Sequence, residues 1–342
     1  MGIGGRKNRK MNSIYKLKNI SERNLLPTYK VKHKILNVLI SLFRLLILLS
    51  IGYVVIYPFM YMLTSAFRTG DSYYDPTITW LTTKVTLNNF TTVFSAMKYL
   101  NALKNTLVYE IISALIQLMS CAIAAYGFAR FDFKEKKFLW VVLYITILLP
   151  AQATMLPTYI NYSHMDLFGI LGKLYEVTGK DLRISLLNTP LVFYLPALFG
   201  VGLRSGIIIF IYIQFFKGLP RELEEAAWID GCGPFKTFIR IALPSSTVVI
   251  FTNLIFSVIW HWNDYFLAAM YLKEQSKFTL AVAIAEIQNT LAGLRFTWQV
   301  NNPSTGAMIM AACTLYVLPV LIMYIILQKK FVKSIDRVGI TG

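Results

Sequence analysis

The length of its uncharged runs constrains this chain more than any other feature. Residues 45–66 give 22 consecutive positions without Asp, Glu, Lys or Arg; 111–129 give 19, 138–160 give 23, 243–263 give 21 and 305–327 give 23. About 20 apolar residues in helix cross the hydrocarbon core of a bilayer, so each run suffices for one crossing. A sixth stretch, 184–216, has 33 residues, is interrupted by Arg204, and contains Pro190 and Pro196. At about 1.5 Å per residue it is too long for one straight crossing. Its first third reads as a surface or half-length helix and the remainder as a span. The expected fold is all-α and integral to the membrane, with six transmembrane helices. Composition agrees: 15% of the 342 residues are charged, against about 25% in soluble domains.

Orientation follows from the cations. The chain has 34 Lys and Arg against 17 Asp and Glu, a net charge of +17. With the N-terminus inside, the inner segments 1–38, 130–137, 217–242 and 328–342 hold 22 Lys and Arg. The outer loops 67–105, 160–189 and 272–304 hold 10, while the acidic residues divide 8 to 7. An asymmetry carried by Lys and Arg alone is the positive-inside signature, so both termini are expected in the cytoplasm. The tail 1–38 has ten basic residues and one acidic residue, Glu22. A cleaved secretory signal would place an apolar core close behind a short charged stretch. Here a long polar segment comes first, and it reads as a retained cytoplasmic anchor on anionic lipid headgroups, followed by a transmembrane domain over 39–342. Nothing in it calls for nucleic acid.

Several chemistries are excluded by spacing. Cys121, Cys232 and Cys313 are far apart without a CxxC pair, and His33, His164 and His261 are isolated, so no disulfide framework or metal-ligand set is expected. A phosphate-binding loop needs GxxxxGK[ST]; Gly169, Gly172 and Lys173 are too closely spaced and Leu174 follows. Gly231 and Gly233 begin a dinucleotide-type fingerprint, but Lys236 stands where its third glycine belongs. No catalytic constellation and no cofactor site is expected in this chain. Any uphill movement it supports must be powered by a partner or an ion gradient.

The inner loop between the fourth and fifth spans is the most informative segment. Pro220 suits the start of a helix, where no amide donor is required. Glu222, Glu224 and Glu225 complement the positive end of a helix dipole. Gly231, Gly233 and Pro234 stop it, and a second helical stretch over 235–243 rises into the membrane at Pro244. The outcome is a short helix on the cytoplasmic face with Ala226 and Ala227 at its centre, where small side chains let another surface come close. Local signals alone fit an ordinary amphipathic surface helix equally well.

The string Glu225-Ala226-Ala227, Gly231, Ile241, Leu243-Pro244 resembles the EAA signature of ABC importer permeases at every defined position. Further segments are similar to carbohydrate-type members: 124–130 (AAYGFAR), 148–150 (LLP), 156–159 (LPTY), 262–264 (WND) and 328–332 (QKKFV). The similarity runs from about Leu87 to the C-terminus, with a core at about 104–331 and the coupling loop at 217–243. The chain thus resembles the smaller permease subunit of maltose-type oligosaccharide importers, departing at Trp228 and in a longer 170–189 loop. The resemblance implies a type I ABC importer (MetI-like) architecture in a bacterial cytoplasmic (inner) membrane. It implies a homologous permease partner, a cytoplasmic ATPase dimer that binds the ATP and Mg, and an extracytoplasmic solute-binding protein. It also assigns Glu225, Ala226, Ala227 and Gly231 to the helix that docks on the ATPase; for Glu225, a helix-dipole role alone is the alternative.

Polar groups within the apolar runs are costly, so they face a cavity or a partner. Glu110, Arg204 and Asp264 are of this kind, with interfacial hydration or structural pairing as the alternative for the two acids. Arg44 reads as a snorkelling residue at the inner boundary. Trp260, Trp262 and Tyr265 cluster within two turns, and sugar rings stack on aromatic faces, although interfacial belts account for most membrane-protein aromatics. Trp260, Trp262, Asn263 and Asp264 are therefore the candidate substrate-path residues. A permease for another solute class, or an ion-coupled secondary transporter, are the competing readings; the latter calls for acidic relays and inverted repeats, which the sequence does not display.

Overall fold

The computed structural model describes residues 4–77, 84–166, 169–179, 183–298 and 305–339, in two units, 1–63 and 64–342. The first unit is most of one helix, α1 (Gly4–Ala66). Over 34–63 its side chains are nearly all exposed, from Leu45 and Leu46 to Val54 and Ile56. A helix apolar on every side has no aqueous face. Tyr53, Tyr57 and Tyr61, four residues apart, form a ladder along it with ring centroids 5.6 and 6.4 Å apart. The side chains of 1–33, and with them the expected headgroup contacts of the basic tail, lie outside the described residues; so do those of Lys329, Lys330, Phe331 and Val332.

The second unit is helical too, and its described residues hold no strand beyond two isolated bridges. After a single helical turn at Gly70–Tyr73 come α2 (Asn88–Ala96) and α3 (Tyr99–Arg130), followed by α4 (Lys136–Leu148) and α5 (Ala151–Ser163). Next come α6 (Ile170–Thr178), α7 (Leu191–Leu198) and α8 (Ser205–Gly218). The inner loop carries α9 (Glu222–Ile229) and leads into α10 (Pro234–Ser245) and α11 (Thr247–Trp262). The chain then runs through α12 (Phe266–Tyr271), α13 (Leu280–Ala285), α14 (Ile287–Trp298) and α15 (Thr305–Gly339).

The centre of this unit is α3 against α8. One face of α3 buries Ala114, Leu118, Cys121, Ala122, Ala125 and Ala129, mostly small and three or four apart. With lipid as apolar as the side chains, helices associate by close packing, and small residues permit it. Ile208, Ile209, Tyr212, Ile213 and Phe216 of α8 fill the space opposite. Tyr212 stacks on Phe216 at 5.9 Å, and Tyr126 meets Phe216 edge-on at 5.5 Å. Gly206 lets α8 approach α4 as well: a Cβ there would stand 2.7 Å from Thr146 Oγ1.

Among the described residues three helices are long and apolar enough to cross a membrane alone, over 34–66, 99–130 and 305–326. The run expected as one span over 138–160 is broken at Leu149–Pro150, where α4 and α5 meet at 100°. Leu149 and Pro150 at the corner are extended, with ψ 122° and 142°, because the ring of Pro150 bars Leu149 from helical backbone. The run expected to begin at 243 also bends, by 78°, between α10 and α11. Ser246 sits at the bend and its hydroxyl donates to the Leu243 carbonyl at 2.8 Å. The 184–216 stretch divides as its prolines and Arg204 suggest, into α7 and α8. The break over 199–204 is made with Gly200 at φ +68° and Arg204 at φ +54°. At Gly202 a Cβ would lie 3.2 Å from the Ala197 backbone, closer than most side chains pack, so glycine eases the tight return of the chain. α8 has 14 residues, about 21 Å.

Candidate functional site: the inner loop and the broken-helix layer

Helix α9 starts at Glu222, two residues after Pro220 rather than at it. Its end is a complete Schellman turn: Gly231 N–H donates to the Trp228 carbonyl at 3.0 Å and Cys232 N–H to that of Ala227 at 2.9 Å. The turn needs left-handed backbone at Gly231, whose φ is +81°. Gly233 then extends and Pro234 opens α10.

The eight-residue helix has two distinct faces. Glu224 and Ala227, three apart, are buried in the protein. Glu225, Ala226, Trp228, Ile229 and Gly231 are exposed. Of the four residues assigned to the docking contact, three lie on the outer surface and Ala227 is buried against the rest of the chain.

What holds α9 in place is a residue at the end of α3. Arg130 Nε donates to Glu224 Oε1 at 2.9 Å, with side chains 4% and 2% exposed. Arg130 Nη2 donates to the Leu219 carbonyl at 2.7 Å. One guanidinium therefore clamps the end of α8 and the inner face of α9. The sequence displays Arg130 as the last residue of the AAYGFAR segment and Glu224 as one of three first-turn acids. It carries no sign that the two meet across 94 positions.

A second polar layer crosses the unit at the α7–α8 break. Breaking a helix frees carbonyls that membrane interior cannot satisfy, so protein groups must. Gln117, wholly buried on α3, donates from Nε2 to the Leu203 carbonyl and to Ser205 Oγ, both at 2.7 Å. Its Oε1 accepts from Ser257 of α11 at 2.7 Å. Ser120 donates to the Ala197 carbonyl at 2.6 Å. Gln117 and Ser120 were missed from sequence, where two polar residues on an apolar helix carry no distinguishing pattern.

Glu110 lies two turns above Gln117 in a π-turn of α3, Leu107–Ile111. It is buried, and neither carboxylate oxygen has a hydrogen-bond partner among the described residues.

The four candidate path residues do not share one surface. Trp262 is buried in the cluster that joins α2, α13 and α15, and its carbonyl accepts from Tyr316 at 2.9 Å. Asp264 Oδ1 accepts from Leu267 N–H at 3.1 Å, holding the first turn of α12. Asn263 is exposed, and its Oδ1 accepts from Tyr316 at 3.2 Å. Trp260 is half-buried, stacked on Phe256 at 5.6 Å, with the Arg204 guanidinium 5.1 Å from its ring centroid. Residues 260 and 262 differ by about 200° around a helix, which separates the two indoles.

Comparison with known proteins fits this architecture. The chain is 28% identical to the "Probable starch degradation products transport system permease protein AmyC" of Thermoanaerobacterium thermosulfurigenes, over 81% of this chain and 89% of that one. It is 26% identical to the maltodextrin transport system permease protein MdxG of Bacillus subtilis (strain 168), over 89% and 96%. In fold it is similar to a chain from the crystal structure of a bacterial ABC transporter involved in the import of the acidic polysaccharide alginate. That match has a TM-score of 0.66 at 18% identity and covers 86% of this chain and 96% of the other. Residues 118–337, well over half of the sequence, match the family described as "Binding-protein-dependent transport system inner membrane component", and the chain belongs to that family.

Proposed function

We propose that this chain is one permease half of an ATP-driven importer for carbohydrate, an oligosaccharide in particular. In this reading six segments cross a bacterial cytoplasmic membrane with both termini inside, α8 and the two bent pairs completing the count begun by the three long helices. A homologous permease completes the path, a cytoplasmic ATPase dimer binds ATP and Mg, and an extracytoplasmic binding protein delivers the solute. The family description, binding-protein-dependent, supports that last partner. Relatives named for starch degradation products and maltodextrin support the substrate class.

The observation that carries the proposal is helix α9: a short, firmly ended helix anchored inward by Glu224–Arg130 and presenting Glu225 and Ala226 outward. Ala226 lets the ATPase surface approach the backbone, Glu225 supplies a charged contact, and Gly231 sets the turn. Ala227 lets α9 sit close on its own protein. ATP-driven closure of the ATPases moves α9, and the clamp passes that movement to α3 and α8. Nucleotide state shifts the inward–outward equilibrium only through contacts that differ between the two states, and α9 is where such contacts form. The test is sugar uptake into proteoliposomes with the ATPase present or omitted. ATP-dependent uptake only with the ATPase is expected; uptake by this chain alone under an ion gradient would sink the proposal.

A further inference from the structure

One face of α11 buries every fourth residue, and three of these are polar: Asn253, Ser257 and His261, 0–4% exposed. Residues four apart share a helix face, so the three form a stripe, and it lies against α3. The opposing stripe on α3 is Ser113, Gln117, Cys121 and Ala125, all buried and, apart from Gln117, small. Three neighbours fix an antiparallel register between the two. Ser257 donates to Gln117 at 2.7 Å. Four residues further in on both helices, Asn253 and Cys121 stand beside the same Tyr212 hydroxyl. Seven residues further out on both, Asp264 is the electrostatic neighbour of Glu110.

Two members of this seam are unpaired in that register. Both amide atoms of Asn253 and both carboxyl oxygens of Glu110 are buried without a hydrogen-bond partner among the described residues. Buried polar groups are almost always satisfied, and one displacement answers both orphans. Moving α11 outward along α3 by four residues, about 6 Å, sets Asn253 opposite Gln117, amide against amide, and Ser257 opposite Ser113. His261, its Nδ1 held by the Ser257 carbonyl at 2.8 Å, rises to the level of Glu110 and offers it Nε2, while Asp264 moves away. Val249 takes the place of Asn253 in the apolar cluster of Cys121 and Tyr212, to which it already belongs. The same displacement inward sets Asn253 against Ala125 and takes His261 to Gln117, leaving both orphans unpaired. The ends of α11 permit the step: a 78° bend separates it from α10, and residues 263–265 beyond it are not helical. It breaks the Ser257–Gln117 bond and those of Tyr316 to the Trp262 carbonyl and Asn263.

We propose that α11 is a one-turn ratchet on α3: Gln117 is a shared pivot that binds Ser257 in the register seen and Asn253 in a second register one turn outward, where His261 pairs with Glu110. Packed elements do switch by one-turn steps past one another. The proposal rests on the permease reading for its trigger, because α11 follows α9 through α10, and it adds a moving part to that reading.

The experiment measures spin-label distances in the complete transporter, nucleotide-free and ATP-trapped, with Cys232→Ser and Cys313→Ala as background. Labels at Asp132, just past α3, and at Ile259 of α11, both exposed, should show two populations whose separations differ by about 6 Å and which ATP redistributes. Labels at Asp132 and at the exposed Leu198 of α7 should keep one separation. Asn253→Leu removes the amide that the outer register uses and should lower its population about fivefold, whereas Ser257→Ala removes a bond of the register seen and should raise it about as much. A single unchanged Asp132–Ile259 separation in both nucleotide forms overturns the ratchet without any variant needing to fold, and a shift in the same direction by both variants overturns it as well. ATP-dependent uptake with that one unchanged separation would remove this inference and leave the permease reading intact; two registers without ATP-dependent uptake would do the reverse.

Discussion

In the proposed importer, replacing Arg130 by alanine should uncouple the chain from the ATPase partner while leaving the membrane helices assembled. The substitution removes the 2.9 Å bond to Glu224 and the 2.7 Å bond to the Leu219 carbonyl, and it strands a carboxylate that is 2% exposed. Removing one partner of a buried ion pair costs about 3–5 kcal/mol. An eight-residue helix has almost no stability of its own, so the loss falls on the seating of α9. At about 1.4 kcal/mol per tenfold, the unseated population rises at least ~100-fold. Amide exchange over 226–231 and maleimide labelling of Cys232, a free half-buried thiol, should accelerate accordingly, and sugar-stimulated ATP hydrolysis should fall. Arg130→Met combined with Glu224→Met supplies the internal control. An apolar pair leaves no stranded charge, so the double variant should exchange more slowly than Arg130→Ala or Glu224→Ala alone. Wild-type protection of α9 in Arg130→Ala, or strictly additive effects of the two sites, would refute the clamp.

Three further outcomes are expected. Ala226→Trp should abolish transport although the permease still inserts and melts normally; transport that survives a bulky side chain there would misplace the docking face. Gly231→Ala should cost about 1–2 kcal/mol, because its φ of +81° is left-handed backbone, and Gly231→Asn should recover part of that loss in a thermal melt of the purified complex. Gln117→Leu leaves the Leu203 carbonyl without its side-chain donor, at about 1–3 kcal/mol for an unsatisfied buried group. The melting temperature in detergent should drop, and an unchanged value would mean that the α7–α8 break does not depend on α3.

Much of the architecture is legible in the amino acids. In a bilayer, backbone groups must be satisfied within the segment, so an uncharged run of 19 to 23 residues leaves helix as the outcome. The expected break between 184 and 216 follows from Pro190, Pro196 and Arg204, because each opposes a continuous buried helix. Pro220, Gly231, Gly233 and Pro234 bracket α9 to within two residues, since proline and glycine act through their own backbone preferences. The spacing from Glu225 to Pro244 carries the resemblance to the family, because residue types at set positions along one short segment are readable without any tertiary contact.

The remainder depends on which face of each helix meets which neighbour, and a membrane sequence obscures that. In water an amphipathic stripe separates core from solvent; in lipid both faces are apolar and the periodic signal fades. Hence Trp260 and Trp262 read as one cluster, although one lies beside Arg204 and the other is buried toward α15. Hence also the Arg130–Glu224 clamp and the Gln117 layer, which join residues 94 and as many as 140 positions apart, could not be anticipated. Hydropathy determines that these segments are buried from water. Only the packed helices decide that Glu224 and Ala227 turn inward while Glu225 and Ala226 face out, because that choice is made by the geometry of α3 and α8 against α9 and by nothing within the loop itself.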